Sequence, residues 1–233
     1  MARPRFVIAI DGPAASGKSS TAQWVARRLG SRHVDSGSLY RAATAAALRT
    51  AAAPGSWTPE DVLAAARMVT LDLEETSMTP QLDGRDATAE IRGAAVTAAV
   101  SRVARMLPVR AWVNEQVRAI ARAHDVVVDG RDIGAAVLPA AQLKIYLIAD
   151  PWERARRRLI QRLNRAPTDE DVAEETDRLV QRDAQDALQT LQASDAVLID
   201  TTYLTQEEQV ERIVALAKAV TQRASGTSRV DGS

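Results

Sequence analysis

The sequence predicts an α/β fold built on a parallel β-sheet. Short apolar segments alternate along the 233 residues with longer segments of helical spacing, which is the pattern of parallel strands joined by right-handed crossover helices. The first apolar segment, residues 6–10, leads through a glycine-containing loop into a helical pattern over residues 19–29. Ligands of such sheets bind beyond the carboxyl ends of the strands, so functional residues are expected in the loops that follow each strand.

Composition limits the class of protein. Hydrophobic residues make up 46% of the chain, which is enough for one sizeable core. Cysteine is absent, which excludes disulfides and thiolate metal sites. Lys plus Arg equals Asp plus Glu at 30 each, so net charge does not suggest a nucleic-acid-binding surface. The first apolar segment is too short for a secretion signal and none is long enough to span a membrane, so we expect a cytoplasmic protein without nucleic-acid or membrane partners.

The segment after the first helix is predicted to continue as strand, helix, helix. Residues 33–35 are a candidate strand and residues 36–53 a candidate helix. Thr58 is a predicted N-cap, because a hydroxyl residue followed by proline and acidic side chains is typical of a helix start. The helix that begins there is expected to end near residue 68.

Short antiparallel strands then interrupt the α/β pattern. Residues 69–73 alternate in polarity as a strand does, and residues 81–85 are interpreted as the end of another strand followed by an Asp-Gly turn. We interpret this region as an insertion. Residues 89–124 are predicted to be helical, with a break or bend near Pro108, because proline interrupts helical hydrogen bonding.

The alternation resumes in the remainder of the chain. The predicted elements are a strand over 126–128, a strand over 143–148, a strongly basic helix from Pro151, a polar acidic stretch over 168–177 that leads into a helix ending at Gln192, a strand over 196–199 and an amphipathic helix over 206–222. Residues 224–233 have the composition of a disordered tail.

The loop after the first strand has the pattern G-x-x-x-x-G-K-S, which is the phosphate-binding P-loop. Its glycines let the backbone curl so that N–H groups point at phosphate oxygens, while Lys18 can reach the β- and γ-phosphates and the Ser19 hydroxyl can bind Mg²⁺. A glycine-rich turn that binds nothing is the alternative, and the strand–loop–helix order disfavours it. The predicted ATP-binding residues are Gly12, Pro13, Ala14, Ala15, Ser16, Gly17, Lys18, Ser19 and Ser20.

Two further predicted strands end in segments that suit phosphate and metal. Residues 35–41 and 129–132 each contain aspartate and an arginine. Arg41 and Arg131 can each donate two parallel hydrogen bonds to a phosphate, and Asp129, which follows three valines, suits Mg²⁺ or its bound water. A solvated arginine and a turn-capping carboxylate are the structural alternatives.

The helix from Pro151 carries five arginines between Arg154 and Arg162. Arginines that close over a transferring phosphoryl group would stabilise its charge, and a mobile flap would exclude water. We therefore predict a lid over about residues 154–182, with Arg157 acting on the reaction. A solvated helix face is the alternative.

The motifs together resemble the bacterial cytidylate kinase family. They lie at residues 10–13 with 18–19, 35–41, 90–92 and 129–134, within a resemblance that spans about residues 7–200. The resemblance implies Mg²⁺-dependent transfer of the ATP γ-phosphoryl group to CMP or dCMP. It also implies a P-loop NTPase-type three-layer α/β/α fold with a five-stranded parallel sheet, a small inserted NMP-binding subdomain and a mobile lid.

In this interpretation residues 1–223 form a single P-loop kinase domain, which we expect to be monomeric. The core covers residues 5–60 and 106–223, and the NMP-binding insertion covers about residues 61–105.

The resemblance also implies roles for individual residues. Lys18, Arg131, Arg157 and Arg182 would be catalytic, and Ser19 and Asp129 would hold Mg²⁺. Nine residues would form the CMP site, with Ser36, Tyr40, Arg41 and Arg131 at the α-phosphate, Ser101, Arg110 and Asp132 at the cytosine, and Arg182 and Asp186 at the ribose and phosphate. A carboxylate suits cytosine because it accepts from the exocyclic amine and meets an unfavourable acceptor on uracil.

The sequence departs from the family pattern on the acceptor side. Gln185 and Gln189 replace usual arginines, and Ala135 replaces a usual threonine. Fewer cations predict weaker or less selective acceptor binding than in a typical member. Another small-molecule P-loop kinase and a nucleotide-binding module without turnover remain the alternatives.

Overall fold

The central sheet of the computed structural model has five parallel strands. The structure describes residues 5–50, 52–163 and 165–227. Their strands are β1 (Val7–Asp11), β2 (Arg32–Asp35), β3 (Val69–Leu73), β4 (Met78–Leu82), β5 (Arg85–Asp86), β6 (Val126–Gly130), β7 (Leu143–Ile148) and β8 (Val197–Asp200). The order in the central sheet is β2-β6-β1-β7-β8, so β6 lies between the first two strands of the chain.

Helices connect and cover these strands. In chain order they are α1 (Lys18–Leu29), α2 (Ser36–Leu48), α3 (Pro59–Ala66), α4 (Ala94–Val103), α5 (Leu107–Ala123), α6 (Pro151–Arg162), α7 (Asp169–Asp186) and α8 (Gln206–Thr227). Shorter helical turns lie at Pro54–Ser56, Glu90–Arg92, Ile133–Val137 and Ala187–Gln189.

Alternate side chains of β1 face two apolar layers. Ile8 and Ile10 pack with α1 and α8 on one face of the sheet, whereas Val7 and Ala9 pack with α2 and α5 on the other. A strand buried on both faces needs the continuous apolar sequence that residues 6–10 have. The predicted three-layer α/β/α fold is therefore confirmed.

Strands β3, β4 and β5 form a separate antiparallel sheet, as the sequence predicts. The turn between β4 and β5 consists of Asp83 and Gly84, whose φ angles of 53° and 71° suit a two-residue hairpin that follows the strand twist. Helices α3 and α4 pack on α2 in a cluster that includes Ala42, Val62 and Val96. The limits of the insertion, residues 61–105, stay a prediction.

Two helical segments differ from their predicted extents. Helix α2 ends at Leu48 rather than at residue 53, because the N–H groups of Arg49 and Thr50 bond carbonyls three residues back and tighten the last turn. Residues 89–124 contain a short turn and two α-helices. Pro108 lies in the first turn of α5, where its missing N–H costs no intrahelical hydrogen bond.

The acidic stretch over residues 168–177 is part of α7, so its prediction as a polar lead-in is wrong. Thr168 and Asp171 form a capping box, in which each side chain accepts from the backbone N–H of the other. The acidic residues of the first turn also interact favourably with the positive end of the helix dipole. The helix ends at Asp186 and passes into the turn Ala187–Gln189, well before the predicted end at Gln192.

The last helix is longer than predicted. It continues to Thr227, so the predicted disordered tail over 224–233 is wrong for residues 224–227, and the rest of that prediction lies outside the described residues. Among the described helices, none combines the length and apolar character needed to cross a bilayer.

Candidate active site

The P-loop joins β1 to α1 and has the backbone shape that its glycines allow. Gly12 has a φ of 149°, and a Cβ there would lie 2.2 Å from the carbonyl oxygen of Leu147, so no other residue fits without movement. Lys18 donates from Nζ to the carbonyl of Pro13 at 2.7 Å. Burial, reinforced by the nearby Arg131 charge, lowers the pKa of Lys18 to about 8. This buried cation is placed to receive an anion.

The ends of β1, β2 and β6 meet because these strands are neighbours in the sheet. The Ser19 hydroxyl donates to Asp129 Oδ2 at 2.6 Å, and His33 Nε2 lies 2.7 Å from the other carboxylate oxygen. The hydroxyl and carboxylate are the oxygen ligands that Mg²⁺ prefers. Within the described residues, no group of three or more His, Asp or Glu side chains could hold a metal alone. The pair therefore fits a Mg²⁺ that takes most of its ligands from water and phosphate.

Asp11 at the end of β1 fixes the loop after β6. Its carboxylate accepts from the N–H groups of Ile133 and Gly134 at 2.9 and 2.8 Å. Burial raises the pKa of Asp11 to about 6, although these two hydrogen bonds favour the charged form. The Asp-Gly-Arg-Asp segment is thereby held against the P-loop strand.

Two cavities open at this edge of the sheet. The smaller, of 270 Å³, is lined by all nine residues predicted for the acceptor site, namely Ser36, Tyr40, Arg41, Ser101, Arg110, Arg131, Asp132, Arg182 and Asp186. The larger, of 930 Å³, runs from the P-loop past the start of α8 to the insertion. We call them the acceptor cavity and the donor cavity. Residues distant in sequence thus converge as predicted, while their individual roles stay predictions.

Carboxylates hold two guanidinium groups of the acceptor cavity, and a backbone carbonyl holds a third. Arg131 Nη2 donates to Asp186 at 2.8 Å, and its buried Nη1 has no hydrogen-bond partner within the described residues. Arg110 Nη2 donates to Asp132 at 2.5 Å. Arg41 donates to the carbonyl of Ile91, which ties the cavity to the insertion.

Three further residues predicted for the acceptor site lie on three different elements around the acceptor cavity. The Ser36 hydroxyl donates to the carbonyl of Asp129 at 2.8 Å. Burial raises the pKa of Tyr40 to about 12, so its hydroxyl remains a donor at neutral pH. Ser101 lies on α4, at the insertion side of the cavity.

The structure places Arg157 apart from the other residues predicted to be catalytic. Its Nη2 donates to the carbonyls of Thr201 and Thr202 at 2.5 and 2.7 Å. Arg157 lines the donor cavity and not the acceptor cavity. Lys18 lines both cavities, and Arg131 and Arg182 line the acceptor cavity. Arg157 therefore lies on the donor side of the junction, and its predicted catalytic role stays a prediction.

Six residues line both cavities and define the junction between them: Ala15, Lys18, Ser19, Asp35, Arg92 and Arg158. Sequence reasoning did not select Arg92 or Arg158 as site residues. Arg92 lies in a segment already noted for its resemblance. Arg158 is one of five arginines on a basic helix, and the sequence alone does not show which of them faces inwards.

Residues that depart from the family pattern do not all lie in the site. Gln189 lines the acceptor cavity, as does Asn114, another residue that sequence reasoning missed. Gln185 is exposed and lines neither cavity. Only the departure at Gln189 can therefore act directly on an acceptor.

A P-loop cavity that meets an arginine-rich second cavity defines a P-loop kinase with a small-molecule acceptor. The cytidylate kinase family model matches residues 8–219. The chain is 39% identical over 227 residues to a cytidylate kinase of Pelodictyon phaeoclathratiforme, covering 93% of this chain and 96% of the relative. A cytidylate kinase of Geobacillus kaustophilus is 43% identical over 217 residues, with coverages of 91% and 96%. The chain belongs to the cytidylate kinase family.

The solved structure of a gluconokinase from Sinorhizobium meliloti is also similar. It has a TM-score of 0.48 and 15% identity, and the match covers 98% of this chain and 100% of that chain. This similarity is loose, and the family assignment rests on the sequence matches.

Proposed function

We propose that this protein transfers the γ-phosphoryl group of ATP to CMP or dCMP, giving CDP or dCDP and ADP. The observation that carries the proposal is the acceptor cavity, because every residue expected to bind the monophosphate lines one space beside the P-loop. Family membership supports the same reaction.

Phosphoryl transfer between phosphate oxygens depends on positioning and charge neutralisation, so no catalytic base is required. Lys18 at the junction would bind the β- and γ-phosphates. Arg41 and Arg131 would hold the acceptor's α-phosphate, the latter with the guanidinium nitrogen that has no hydrogen-bond partner within the described residues. Arg182 would neutralise charge from the lid side.

The base would be read at the far end of the acceptor cavity. Asp132 and Ser101 suit the exocyclic amine and ring edge of cytosine, and Arg110 holds Asp132 in place. Burial raises the pKa of Asp132 against the opposing effect of Arg110. An exocyclic amine would supply the donor that this buried carboxylate needs.

Ser19 and Asp129 would hold Mg²⁺, which would supply positive charge against the phosphates. We propose that the protein acts as a monomer in the cytoplasm, in pyrimidine nucleotide metabolism. Sedimentation of the purified chain tests the monomer directly.

A coupled assay of ADP release with CMP, dCMP, UMP and AMP tests the reaction. The proposal predicts rapid turnover with CMP or dCMP and slower turnover with UMP and AMP. Preferred use of another acceptor would favour a different small-molecule kinase. No acceptor-dependent ADP above background would favour a binding module.

Arg131→Ala distinguishes acceptor binding from ATP binding. The KM for CMP should rise by about tenfold or more, the loss expected for a charged hydrogen bond, while ATP affinity measured by calorimetry stays nearly unchanged. Arg122→Ala, on the exposed face of α5, is the matched control. Equal losses of ATP and CMP affinity would contradict the assignment of this cavity to the acceptor.

A further inference from the structure

The interface between α6 and α7 contains a buried acid that the proposed mechanism does not use. Glu175 is 3% exposed and lies among three arginines. Its carboxylate is 2.8 Å from Arg158 Nε, 3.4 Å from Arg162 Nη2 and 3.5 Å from Arg178 Nη1. A buried carboxylate is costly unless it is paired, so these contacts account for its burial.

Only one of the three arginines belongs to the site. Arg158 lines both cavities at their junction, whereas Arg162 and Arg178 line neither and their side chains are 51% and 62% exposed. The pairing of Glu175 is therefore asymmetric. Glu175 joins Arg158, which lines the cavities, to Arg162 and Arg178, which face solvent.

The contact between Arg158 and Glu175 is an ion pair rather than an aligned hydrogen bond. The Arg158 Nε–H is buried without a hydrogen-bond acceptor among the described residues. Burial lowers the pKa of the Arg158 guanidinium, and the Glu175 charge opposes that shift. The carboxylate thus holds a partly desolvated cation beside the junction of the two cavities.

We infer that Glu175 is a positioning residue that holds Arg158 at the junction of the two cavities for the transferring phosphoryl group. The inference rests on the proposed function. Preorganised cations act strongly on charge that develops in a water-poor site, and a small displacement of such a group is costly to the rate. Glu175 would thereby act on turnover without touching either substrate.

Glu175→Gln keeps the size of the side chain and removes its charge. We expect kcat to fall by about tenfold or more, because Arg158 is no longer held, while the KM for CMP changes little. The matched control is Glu174→Gln, since Glu174 is the adjacent residue, is 62% exposed and pairs only with Arg178 among the described residues. This control should keep the turnover of the unmodified chain.

A double-mutant cycle distinguishes positioning from stability. In an Arg158→Ala background, Glu175→Gln should have no further effect on kcat, although it should still lower the melting temperature. Arg178→Gln removes an exposed partner of Glu175 outside the cavities and should leave kcat unchanged. Additive losses in the cycle, or an equal loss from Arg178→Gln, would overturn the inference.

A measurement of ATP affinity tests the role of Glu175 without using any acceptor. Calorimetry with ATP and Mg²⁺ should show weaker binding for Glu175→Gln than for Glu174→Gln, and the difference should vanish in the Arg158→Ala background. An unmodified chain without CMP-dependent turnover would defeat the proposed function, and this comparison would still decide the role of Glu175. Equal ATP affinities and equal kcat values for the two variants would defeat the inference.

Discussion

Single buried carboxylates organise the site by joining groups from separate elements. Asp129 accepts from Ser19 of the P-loop helix and contacts His33 of the neighbouring strand. Asp11 holds the loop after β6 through two backbone N–H groups. Such contacts cost little when the carboxylate is satisfied on both oxygens, and they fix the distance between catalytic segments.

Lys18→Ala should reduce kcat by about 10²-fold or more, because a preorganised cation at the phosphates is lost. The fold should persist, since the substitution removes a buried cation whose desolvation opposes folding. ADP release and the melting temperature measure the two effects. Lys218→Ala, an exposed change on α8, is the control. Normal turnover of Lys18→Ala would refute the role of the P-loop lysine.

Gln189→Arg should lower the KM for CMP by about tenfold, because it returns a cation to the acceptor cavity. The chain offers a close control in Gln185→Arg, since Gln185 is exposed and lies outside both cavities. Steady-state kinetics with CMP and UMP measure affinity and selectivity together. Equal effects of the two substitutions would show that overall charge, rather than position, matters.

At the scale of elements, one face of α7 contacts both the P-loop and α6. Asp183 accepts from the N–H of Ala14 at 3.1 Å and from Arg154 at 2.6 Å, while Arg154 also donates to the carbonyl of Ala14 at 2.8 Å. Glu175, Asp183 and Asp186 share this face because helical neighbours recur every three or four residues. Both backbone polar groups of Ala14 in the P-loop are thus held by side chains of α6 and α7.

Thr168→Ala should destabilise the protein by about 1 kcal/mol, because it removes the N-cap hydroxyl of α7. Urea unfolding followed by circular dichroism measures the change. Gln181→Ala, at an exposed position in the middle of the same helix, should change stability far less. A loss from Gln181→Ala as large as that from Thr168→Ala would contradict the importance of the cap.

At the scale of the whole molecule, a chain with zero formal net charge concentrates cations at one edge of its sheet. Burial lowers the pKa of Arg41 and of Arg182, which shows that both guanidinium groups are partly desolvated before any ligand binds. Anionic substrates would pair with these partly desolvated guanidinium groups and would bind only the folded chain. Substrate binding should therefore be coupled to global stability.

Asp11 should make the free energy of unfolding depend on pH. Its pKa is about 6 in the folded protein and 3.8 ordinarily, so the folded state binds this proton more tightly than the unfolded state. Its stabilising contribution is complete below pH 3.8 and is lost as the pH rises through 6, on the order of 2–3 kcal/mol for such a shift.

Urea unfolding of the unmodified chain and of Asp11→Asn at several pH values checks this dependence. The advantage of the unmodified chain over the variant should shrink as the pH rises. Asp177→Asn, at an exposed position of α7, is the control for the loss of one carboxylate. An advantage that grows with pH would contradict the raised pKa.

The amino-acid sequence was enough to predict the α/β class, the P-loop and the family. These features are encoded locally, in the apolar run of β1, in the glycine spacing after it and in the motifs that follow β2 and β6. Even Ser101 and Arg110, which have no local signal, could be selected through the resemblance. The acidic stretch over residues 168–177 belongs to the start of α7, where the capping box of Thr168 and Asp171 satisfies the first backbone N–H groups.

Which charged side chains line the two cavities follows from the packing of the helices and not from the sequence pattern. Arg157 and Arg158 are adjacent in a run of arginines, yet one lies at the donor end and the other at the junction of the cavities. The burial of Glu175 depends likewise on the packing of α7 against α6. Side-chain direction on a helix is set by its neighbours in space, and a helix with charges on several faces carries no sequence signal for it.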